Sequence, residues 1–392
     1  MWLENREIDL MKILMAEHTH YASLFRVGCH HLAKGLARKG HSVTYLSSCL
    51  TPFHLGQLLG NNRREALARF RNWAKGGQTW EAGLFSYVPL SLVPFTRFPL
   101  LDSFWAAKAY SRFTVPSLFR FLDSRGPFDA FLIGDPRFVP LIDRVKARKR
   151  LFRLTDDILG FTDTPRTIQE LYREAVEKCE RIIVTARPLK NMMEKNFQAK
   201  DVTYLSNGVD VERFLKVKAK EPMDLKAIPG PRAVYVGALL EWFDVELLRQ
   251  VAVSLPKVSF ILIGPPRVSL DRLKELSNVH ILGPKPYESI PHYLSFCQVG
   301  LIPFKKTKLI QSVSPIKLYE YMACGLPVVS TDWEELRQLK SPAYLAKDLS
   351  GFIQGIRKAL AARRNEKLVR FARKNSWDKK VDKILELIGK PI

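Results

Sequence analysis

Several signatures of common enzyme classes are absent from this 392-residue chain. The first strand-like segment leads into Glu17-His-Thr-His-Tyr-Ala-Ser-Leu, which contains no Gly-x-Gly-x-x-Gly, and this disfavours a nicotinamide or flavin enzyme. The Walker lysine loop is missing as well, so phosphoryl transfer on a P-loop is disfavoured. No Asp-x-Asp cluster is present, and no apolar run approaches the ~20 residues that cross a bilayer.

Cysteine is scarce, and its positions follow no pattern. The count is odd and the spacing does not suit metal ligands, which favours a reducing compartment and no zinc site; the five are Cys29, Cys49, Cys179, Cys297 and Cys324. The first ten residues include Glu4, Glu7 and Asp9 and hold no apolar run, so we expect no signal peptide. We therefore predict a cytoplasmic protein without a metal cofactor.

Positive charge is abundant, with a formal net charge of +23. Such a balance is compatible with nucleic acid, an anionic membrane face or anionic substrates as partners. Residues 50–125 hold ten Lys/Arg against four Asp/Glu, interleaved with many aromatic residues. This mixture in region 63–125 predicts attachment to an anionic membrane surface, with rings at headgroup depth. In the alternative interpretation, the rings form core and the charges a solvated face.

Short apolar segments alternate with longer amphipathic ones, which is typical of parallel sheets covered by helices. Eleven strands are predicted: 12–17, 42–47, 130–134, 150–155, 181–185, 203–206, 233–237, 259–264, 279–282, 300–303 and 327–331. Residues 211–230 are polar and rich in Lys and Pro, which predicts a linker. The α/β chain is thus divided into an N-terminal domain (1–210), the linker, a C-terminal domain (231–374) and a last helix (375–392).

Residues 314–331 carry the most specific pattern in the chain. We predict a short helix that Ser314 caps, Pro315 opens and Gly325 ends, followed by a buried strand. Lys317 then lies in the first turn, where a cation is mildly unfavourable unless an anion binds there. Glu320 lies on the same face one turn later. The pair suits a nucleotide diphosphate and its ribose; the alternative is an ordinary helix with two solvated charges.

Two segments carry a family resemblance. Tyr204-Leu-Ser-Asn-Gly-Val-Asp-Val-Glu-Arg-Phe resembles the segment that closes the N-terminal domain of GT-B glycosyltransferases. Lys317-Leu-Tyr-Glu-Tyr-Met-Ala-Cys-Gly-Leu-Pro-Val-Val resembles their donor-nucleotide helix, and Trp377 fits the start of their last helix. The resemblance implies two Rossmann-like domains facing across a cleft, with the last helix crossing back to the N-terminal domain. It also implies a nucleotide-sugar donor in the C-terminal domain and an acceptor in the N-terminal one.

One departure from the retaining members points to an inverting group. Many retaining enzymes carry two glutamates eight positions apart; Glu320 matches the second, but Ser312 occupies the first position. Arg153-Leu-Thr-Asp156 is similar to the strand end that holds the catalytic aspartate in the inverting, membrane-associated GumK-type glucuronosyltransferases. This resemblance implies that Asp156 is the general base. Asp157 remains the rival, and either aspartate could instead cap the next helix.

Further candidate residues follow other predicted strands at the edge where ligands bind in open α/β sheets. The Gly237 turn, Leu239 and Phe304 are predicted to contact the donor, together with Ser314, Lys317 and Glu320. Candidate acceptor or rim contacts are His18, His20, Asp157 and Arg267. The simpler interpretation makes the two histidines polar loop contacts and Arg267 a charge at the rim.

The predicted reaction moves a sugar, with glucuronate as the leading choice from the resemblance, from a UDP-sugar to a lipid-linked or polysaccharide acceptor. Lys317 and the helix N-terminus take the place of a metal on the leaving diphosphate. The protein would be cytoplasmic and peripheral at the inner membrane face. Two alternatives stay open: a sugar-nucleotide epimerase on the same fold, and a basic nucleic-acid-binding protein, although no nucleic-acid motif is found.

Overall fold

A computed structural model describes residues 10–23, 26–59, 63–160, 164–215, 220–362 and 364–389. The chain divides into two compact units. The first contains Met1–Thr185, Leu189–Leu205 and Val381–Ile392, and the second contains Ala186–Pro188 and Ser206–Lys380. Within the described ranges, none of the helices combines the length and the apolar character that a bilayer span requires.

The first unit is built on an eight-stranded sheet with the order β10-β9-β8-β7-β1-β2-β4-β3. Neighbouring strands are parallel except β3 and β4, and β5 and β6 form a separate antiparallel ribbon. β1 lies between β2 and β7, so the strands that follow it in the chain are added on both of its sides. The carboxyl end of β1 is therefore a topological switch point. The strands are β1 Lys12–Glu17, β2 Ser42–Ser47, β3 Gln78–Glu81, β4 Leu84–Tyr87, β5 Leu90–Ser91, β6 Thr114–Val115, β7 Phe128–Ile133, β8 Ala147–Leu154, β9 Arg181–Val184 and β10 Val202–Tyr204.

Helices cover this sheet with apolar faces. In α1, for example, Leu32, Ala33 and Leu36 are buried at the 3–4 residue spacing of one helix face. The helices are α1 Gly28–Arg38, α2 Arg63–Ala74, α3 Phe104–Arg112, α4 Leu118–Arg125, α5 Ile168–Lys178 and α6 Arg187–Asn196, and short 3-10 helices span Pro52–Leu59, Pro136–Leu141 and Ile158–Gly160.

The second unit has a six-stranded parallel sheet with the order β13-β12-β11-β14-β15-β16. Here β11 is the switch point, since β12 and β14 flank it. All residues of β12, β14 and β15 are buried, as expected for strands covered on both faces. The strands are β11 Arg232–Val236, β12 Ser259–Ile263, β13 Val279–Gly283, β14 Val299–Ile302, β15 Val328–Thr331 and β16 Tyr344–Ala346.

The helices of the second unit are α7 Val211–Leu215, α8 Met223–Lys226, α9 Val245–Ser254, α10 Asp271–Lys274, α11 Ile290–Ser295, α12 Lys308–Gln311, α13 Ile316–Ala323, α14 Glu334–Leu339, α15 Leu349–Ala361, α16 Glu366–Lys374 and α17 Trp377–Gly389, with a 3-10 helix at Tyr287–Ser289. The predicted linker 211–230 is corrected by this architecture. Phe214, Leu225 and Ile228 are buried in the core of the second unit, which makes α7 and α8 part of that unit.

The last helix, α17, is shared between the units along its length. Residues up to Lys380 belong to the second unit, and those from Val381 belong to the first. Gly35 of α1 permits the contact, because a Cβ atom there would lie 2.5 Å from Val381 Cγ2. Lys39 and Asp382 add an ion pair of 2.6 Å at the same place.

Candidate functional site

The helix α13 starts one residue later than the sequence predicted. Pro315 is the residue before the helix and Ile316 the first within it, so Ser314 is not the cap; this prediction was wrong. Instead, the Ser314 carbonyl accepts a hydrogen bond of 2.8 Å from Asn207 Nδ2. Gly325 follows the helix with a φ of +68°, as predicted, and its backbone N–H donates a hydrogen bond to Met322 O.

Lys317 lies in the first turn of α13 and its ammonium group reaches the turn after β11. A Cβ atom at Gly237 would lie 3.4 Å from Lys317 Nζ and 3.2 Å from its Cε atom. The ammonium also lies 4.7 Å from the centre of the Phe304 ring and 5.4 Å from that of Tyr235. The rings therefore hold the cation at the carboxyl end of the switch-point strand.

The glycine turn brings backbone close to backbone. Gly237 has a φ of +146° and Gly264, after β12, has a φ of +149°. A Cβ atom at Gly264 would lie 1.9 Å from Gly237 O, so a side chain does not fit there. The backbone of Arg267 then pairs with Leu239, which places Arg267 in the loop beside the turn.

Two predicted donor contacts prove to be core residues. The Leu239 side chain is 0% exposed within the core of the second unit, so the predicted contact of this side chain with a nucleotide is corrected. Phe304 is also buried, and its ring stacks on Trp333 at 5.8 Å. Its observed contact with Lys317 makes it a support for the cation, and packing on a base or ribose stays a prediction.

Glu320 is buried below Lys317 and accepts a hydrogen bond of 2.8 Å from the Tyr287 hydroxyl. Burial raises the pKa of Glu320 to about 7, although Tyr287 and Lys317 act to lower it. Burial lowers the pKa of Lys317 to about 8, with Glu320 acting to raise it. Lys317 thus keeps its positive charge at neutral pH, while Glu320 titrates close to neutrality.

Candidate base residues lie at the carboxyl edge of the sheet in the first unit. Asp156 follows β8 and is partly exposed, and Asp135 follows β7. Desolvation lowers the pKa of His18, which follows β1, while the carboxylates of Asp135 and Asp156 act in the opposite direction. The three residues follow β1, β7 and β8, which are neighbouring strands at the switch point of the first sheet.

The neighbours of Asp156 have structural roles. Asp157 is buried and directly precedes the 3-10 helix Ile158–Gly160, where Gly160 donates its backbone N–H to Asp157 O, while the N-cap of α5 is Thr167. Asp135 caps the 3-10 helix Pro136–Leu141 and binds the Arg137 guanidinium through both carboxylate oxygens, at 2.6 to 2.9 Å. Of these carboxylates, Asp156 is therefore the most exposed.

His20 differs from its predicted place at the rim. Its ring is 3% exposed, and burial, together with the charges of Arg69, His30 and Arg26, lowers its pKa to about 4. A buried neutral imidazole does not meet an acceptor at the surface, so this prediction is corrected.

The aromatic residues of region 63–125 divide between core and surface. Phe95 and Tyr110 are buried, whereas Phe98, Trp105 and Phe113 are exposed. The interpretation of the rings as core is met for the buried residues, and attachment to a membrane surface stays a prediction. In the described part of the chain, no three His, Cys, Asp or Glu side chains are grouped to hold a metal ion.

Two family models match the chain, one in each unit. Residues 14–185 match the model described as the glucuronosyltransferase GumK N-terminal domain, and residues 230–362 match the glycosyl transferases group 1 model. Over 96% of the chain, the structure is similar to sucrose-phosphate synthase from Thermosynechococcus elongatus, with a TM-score of 0.71, 16% identity and 98% of that chain covered. The chain has the GT-B fold and resembles GT-B glycosyltransferases.

Other GT-B proteins extend this comparison. The Anabaena protein HepE, solved with UDP and glucose, matches 96% of this chain and 99% of its own at 15% identity, with a TM-score of 0.62. A Bacillus subtilis (strain 168) protein, provisionally named as the teichuronic acid biosynthesis glycosyltransferase TuaH, is 26% identical over 186 residues. That alignment covers 45% of this chain, and the chain spans about half, 46%, of the length of this curated relative.

Sequence reasoning missed the residues that support the pair on α13. Tyr287 lies 33 positions before Glu320 and meets it only through the fold. Trp333 backs Phe304 and donates its indole N–H to Val313 O at 3.0 Å. The sequence shows these aromatic residues, but their positions along the chain do not show which side chains they contact in the fold.

Proposed function

We propose that the protein is a glycosyltransferase that binds a UDP-sugar in its second unit and transfers the sugar to a lipid-linked or polysaccharide acceptor bound by its first unit. The observation that carries the proposal is the Lys317 ammonium beside the Gly237 turn, at the switch point of the second sheet. Ligands of open α/β sheets bind at such points. The matched family model over residues 230–362 supports the same assignment.

In the proposed donor complex, the diphosphate lies at the Gly237 turn, where the lack of a side chain leaves backbone accessible. The Lys317 ammonium and the N-terminus of α13 oppose the negative charge that grows on the leaving diphosphate. Glu320, held by Tyr287, accepts a hydrogen bond from a ribose hydroxyl. This arrangement supplies the positive charge from the chain's own groups, and we propose a metal-independent reaction.

In the acceptor half, Asp156 accepts the proton of the attacking hydroxyl. The hydroxyl oxygen forms the new bond to the anomeric carbon as the bond from that carbon to the UDP oxygen breaks, and the configuration inverts. The partly exposed position of Asp156 after β8 and the matched GumK N-terminal model support this role. Glucuronate is the leading sugar on the strength of that resemblance.

The acceptor is proposed to be reached at an anionic membrane surface, with the protein bound peripherally from the cytoplasmic side. The support is the basic composition of region 63–125 and the exposure of Phe98, Trp105 and Phe113 within it. Aromatic rings and cations together favour the membrane–water interface.

The donor half is tested by thermal unfolding with and without UDP. We expect UDP to raise the unfolding temperature of the wild-type protein, because a ligand of the folded state stabilises it. Lys317→Ala should weaken UDP affinity by about tenfold or more, since a charge-assisted hydrogen bond is lost. Lys257→Ala, which removes an exposed lysine of the same unit, is the matched control. Equal UDP affinity in the two variants would refute the donor site.

The acceptor half is tested by turnover with UDP-sugars and lipid-linked acceptors. Asp156→Asn should abolish transfer and leave UDP affinity unchanged, because the amide cannot take a proton. Normal turnover by this variant would remove Asp156 from the base role. A UDP-sugar isomer formed without any acceptor would instead identify an epimerase.

A further inference from the structure

The first unit contains a cavity of about 360 Å³ at the amino edge of its sheet, which is the edge opposite the candidate base. The residues that line this amino-edge cavity are Lys12, Ser42, Thr44, Ser124, Arg125 and Phe128. Lys12 and Ser42 begin β1 and β2 and are register partners, and Thr44 follows on the same face of β2. The end of α4 closes the cavity from above with Ser124 and Arg125. The proposed transfer reaction uses none of these side chains.

Arg125 is held over the sheet by aromatic rings. Its guanidinium carbon lies 3.5 Å from the centre of the Phe85 ring and 5.2 Å from that of Phe121. Phe85 is the register partner of Thr44, and Phe121 of α4 stacks on Tyr87 at 4.3 Å. A guanidinium that lies on a ring keeps its N–H donors in its own plane, directed away from the ring. The rings therefore fix the position of Arg125 without using its hydrogen-bond donors.

The two cations of the amino-edge cavity are not neutralised by the protein. Among the residues that the structure describes, no carboxylate or other acceptor binds the Arg125 guanidinium or the Lys12 ammonium. Burial lowers the pKa of Arg125, and no acid acts against this effect. Two such charges lining one cavity create a positive potential, which favours the binding of an anion.

Two carboxylates near this edge are engaged elsewhere and do not line the cavity. Asp129 accepts a hydrogen bond of 2.7 Å from the backbone N–H of Lys12, and Asp123 pairs with Arg144 at 2.8 Å. Asp129 still brings negative charge close to Lys12. Its charge therefore opposes an anion in the cavity, and this opposition can be measured.

The hydroxyl groups of the cavity complete the set of donors. Thr44 is 4% exposed, and in the described ranges no residue forms a hydrogen bond with the hydroxyl of Thr44 or of Ser42. The Ser124 hydroxyl differs, because it donates to Phe121 O at 2.8 Å. Donors for an anion thus come from the two cations and from Ser42 and Thr44.

We propose that the amino-edge cavity binds a small soluble phosphomonoester, with its phosphate group between Arg125 and Lys12. Paired N–H donors of an arginine match two phosphate oxygens, and the ammonium and hydroxyl groups serve the others. A carboxylate has only two oxygens and one charge, so it would leave donors unused. The volume lies within the range of about 300–1,000 Å³ typical of small-molecule sites, which leaves room for the organic part of the ester. The inference is independent of the proposed transfer reaction.

Thermal unfolding with ribose 5-phosphate tests the site, with ribose and inorganic phosphate measured at equal ionic strength. We expect ribose 5-phosphate to raise the unfolding temperature in a saturable way, because a ligand of the folded state stabilises it. Ribose alone should have no effect, and inorganic phosphate should compete with the ester. A rise that increases without saturation and equally for both phosphates would reflect their exclusion from the protein surface and would refute the site.

Lys12→Gln measures the contribution of the exposed cation. Its affinity for ribose 5-phosphate should fall by about tenfold, since one charge-assisted hydrogen bond is lost. Lys75→Gln is the matched control, because it removes an exposed lysine of the same unit that lies outside the cavity, and the net charge falls equally. Equal affinities of the two variants would show that overall charge, and not this cavity, attracts the ester.

Asp129→Asn tests the same site by a gain of binding, which a misfolded protein cannot show. The amide oxygen can still accept the hydrogen bond from Lys12 N, while the negative charge is removed. We expect ribose 5-phosphate to bind several-fold more tightly than to wild type. Unchanged or weaker binding would contradict a phosphate beside Lys12.

Lys317→Ala separates this cavity from the proposed donor site, which also offers a cation to phosphate. The variant should keep the wild-type affinity for ribose 5-phosphate, and Lys12→Gln should keep the wild-type affinity for UDP. If Lys317→Ala loses ribose 5-phosphate while Lys12→Gln retains it, the ester binds near the Gly237 turn and the amino-edge proposal fails. Because UDP is titrated on the same variants, failure of the donor proposal is seen separately.

Discussion

At the scale of single residues, two glycines decide what the neighbouring charged side chains can do. Gly237 leaves room for the Lys317 stem at the end of β11. Gly134 follows β7 in the first unit, where a Cβ atom would lie only 2.0 Å from Glu17 Oε2. Glu17 is fully buried, and burial raises its pKa well above the usual range. Each glycine therefore holds the space that a functional or buried polar group occupies.

Gly134→Ala tests this close approach. The added methyl group must displace the buried Glu17 carboxyl, and we expect a loss of about 1–3 kcal/mol in the free energy of unfolding. Chemical denaturation gives the value. In a Glu17→Ala background, the same glycine substitution should cost clearly less, because the obstructing carboxyl is gone. An equal cost in both backgrounds would show that backbone conformation, and not this contact, sets the requirement for glycine.

Glu320 gives the protein a predictable dependence on pH. Its pKa is about 7 in the folded state against 4.5 for an ordinary glutamate, so the folded state binds more protons between these values. The free energy of unfolding should then fall as pH rises from 4.5 to 7, by on the order of 3 kcal/mol from this group. Glu320→Gln should lose this component of the pH profile. Lys317 does not contribute in this window because its pKa is about 8.

Tyr287→Phe provides the companion measurement. The Tyr287 hydroxyl acts to lower the pKa of Glu320, so its removal should raise that pKa and extend the fall in stability above pH 7. Denaturation across pH compares the two profiles. Identical profiles for Tyr287→Phe and wild type would contradict the hydrogen bond as a determinant of Glu320 titration.

At the scale of elements, the sequence predicted what local periodicity and composition determine. All eleven predicted strands are present, with ends within three residues of the prediction. Five strands were missed: β3, β4, β5, β6 and β16. Most of these strands are short, and β3 has no fully buried residue, so their sequences contain no clear apolar pattern. The helices in the predicted linker were missed because each is short and buries few residues, such as Phe214 and Leu225.

The candidate site was predictable in the same measure. Lys317, Glu320 and Gly237 follow from local pattern and resemblance, and the structure brings them together. The start of α13 did not follow, because Asn207, more than 100 positions away, donates a hydrogen bond to the Ser314 carbonyl at this point. Long-range hydrogen bonds of this kind leave no local signature in a sequence.

Asn207→Ala measures that long-range bond. The substitution leaves the buried Ser314 carbonyl without its amide donor and should cost about 1–3 kcal/mol of unfolding free energy. Ser314→Ala is the contrast, since its hydroxyl is not a helix cap and its contacts with Asn207 N and the Tyr319 hydroxyl are both long, at 3.4 Å. We expect it to cost less than Asn207→Ala in chemical denaturation. A larger loss for Ser314→Ala would restore the hydroxyl as the more important group.

At the scale of the whole molecule, donor binding and acceptor activation are proposed for different units. Asp156 lies in the first unit, and Lys317, Glu320 and Gly237 lie in the second. The chain carries a net charge of +23, so salt will weaken the binding of any anionic partner to either unit. A discriminating experiment must therefore change one unit and read both.

Deletion of residues 381–392 is such an experiment. Val381 and Ile384 are fully buried in the first unit, Val381 packs on Gly35, and the Lys39–Asp382 ion pair is lost, so we expect several kcal/mol of destabilisation. Hydrogen exchange should show reduced protection in α1 and neighbouring strands of the first unit. Protection in β11 to β15 should be retained, because the core of the second unit keeps its residues. Loss of protection in β11 to β15 with α1 unchanged would show that the end of α17 stabilises the second unit instead.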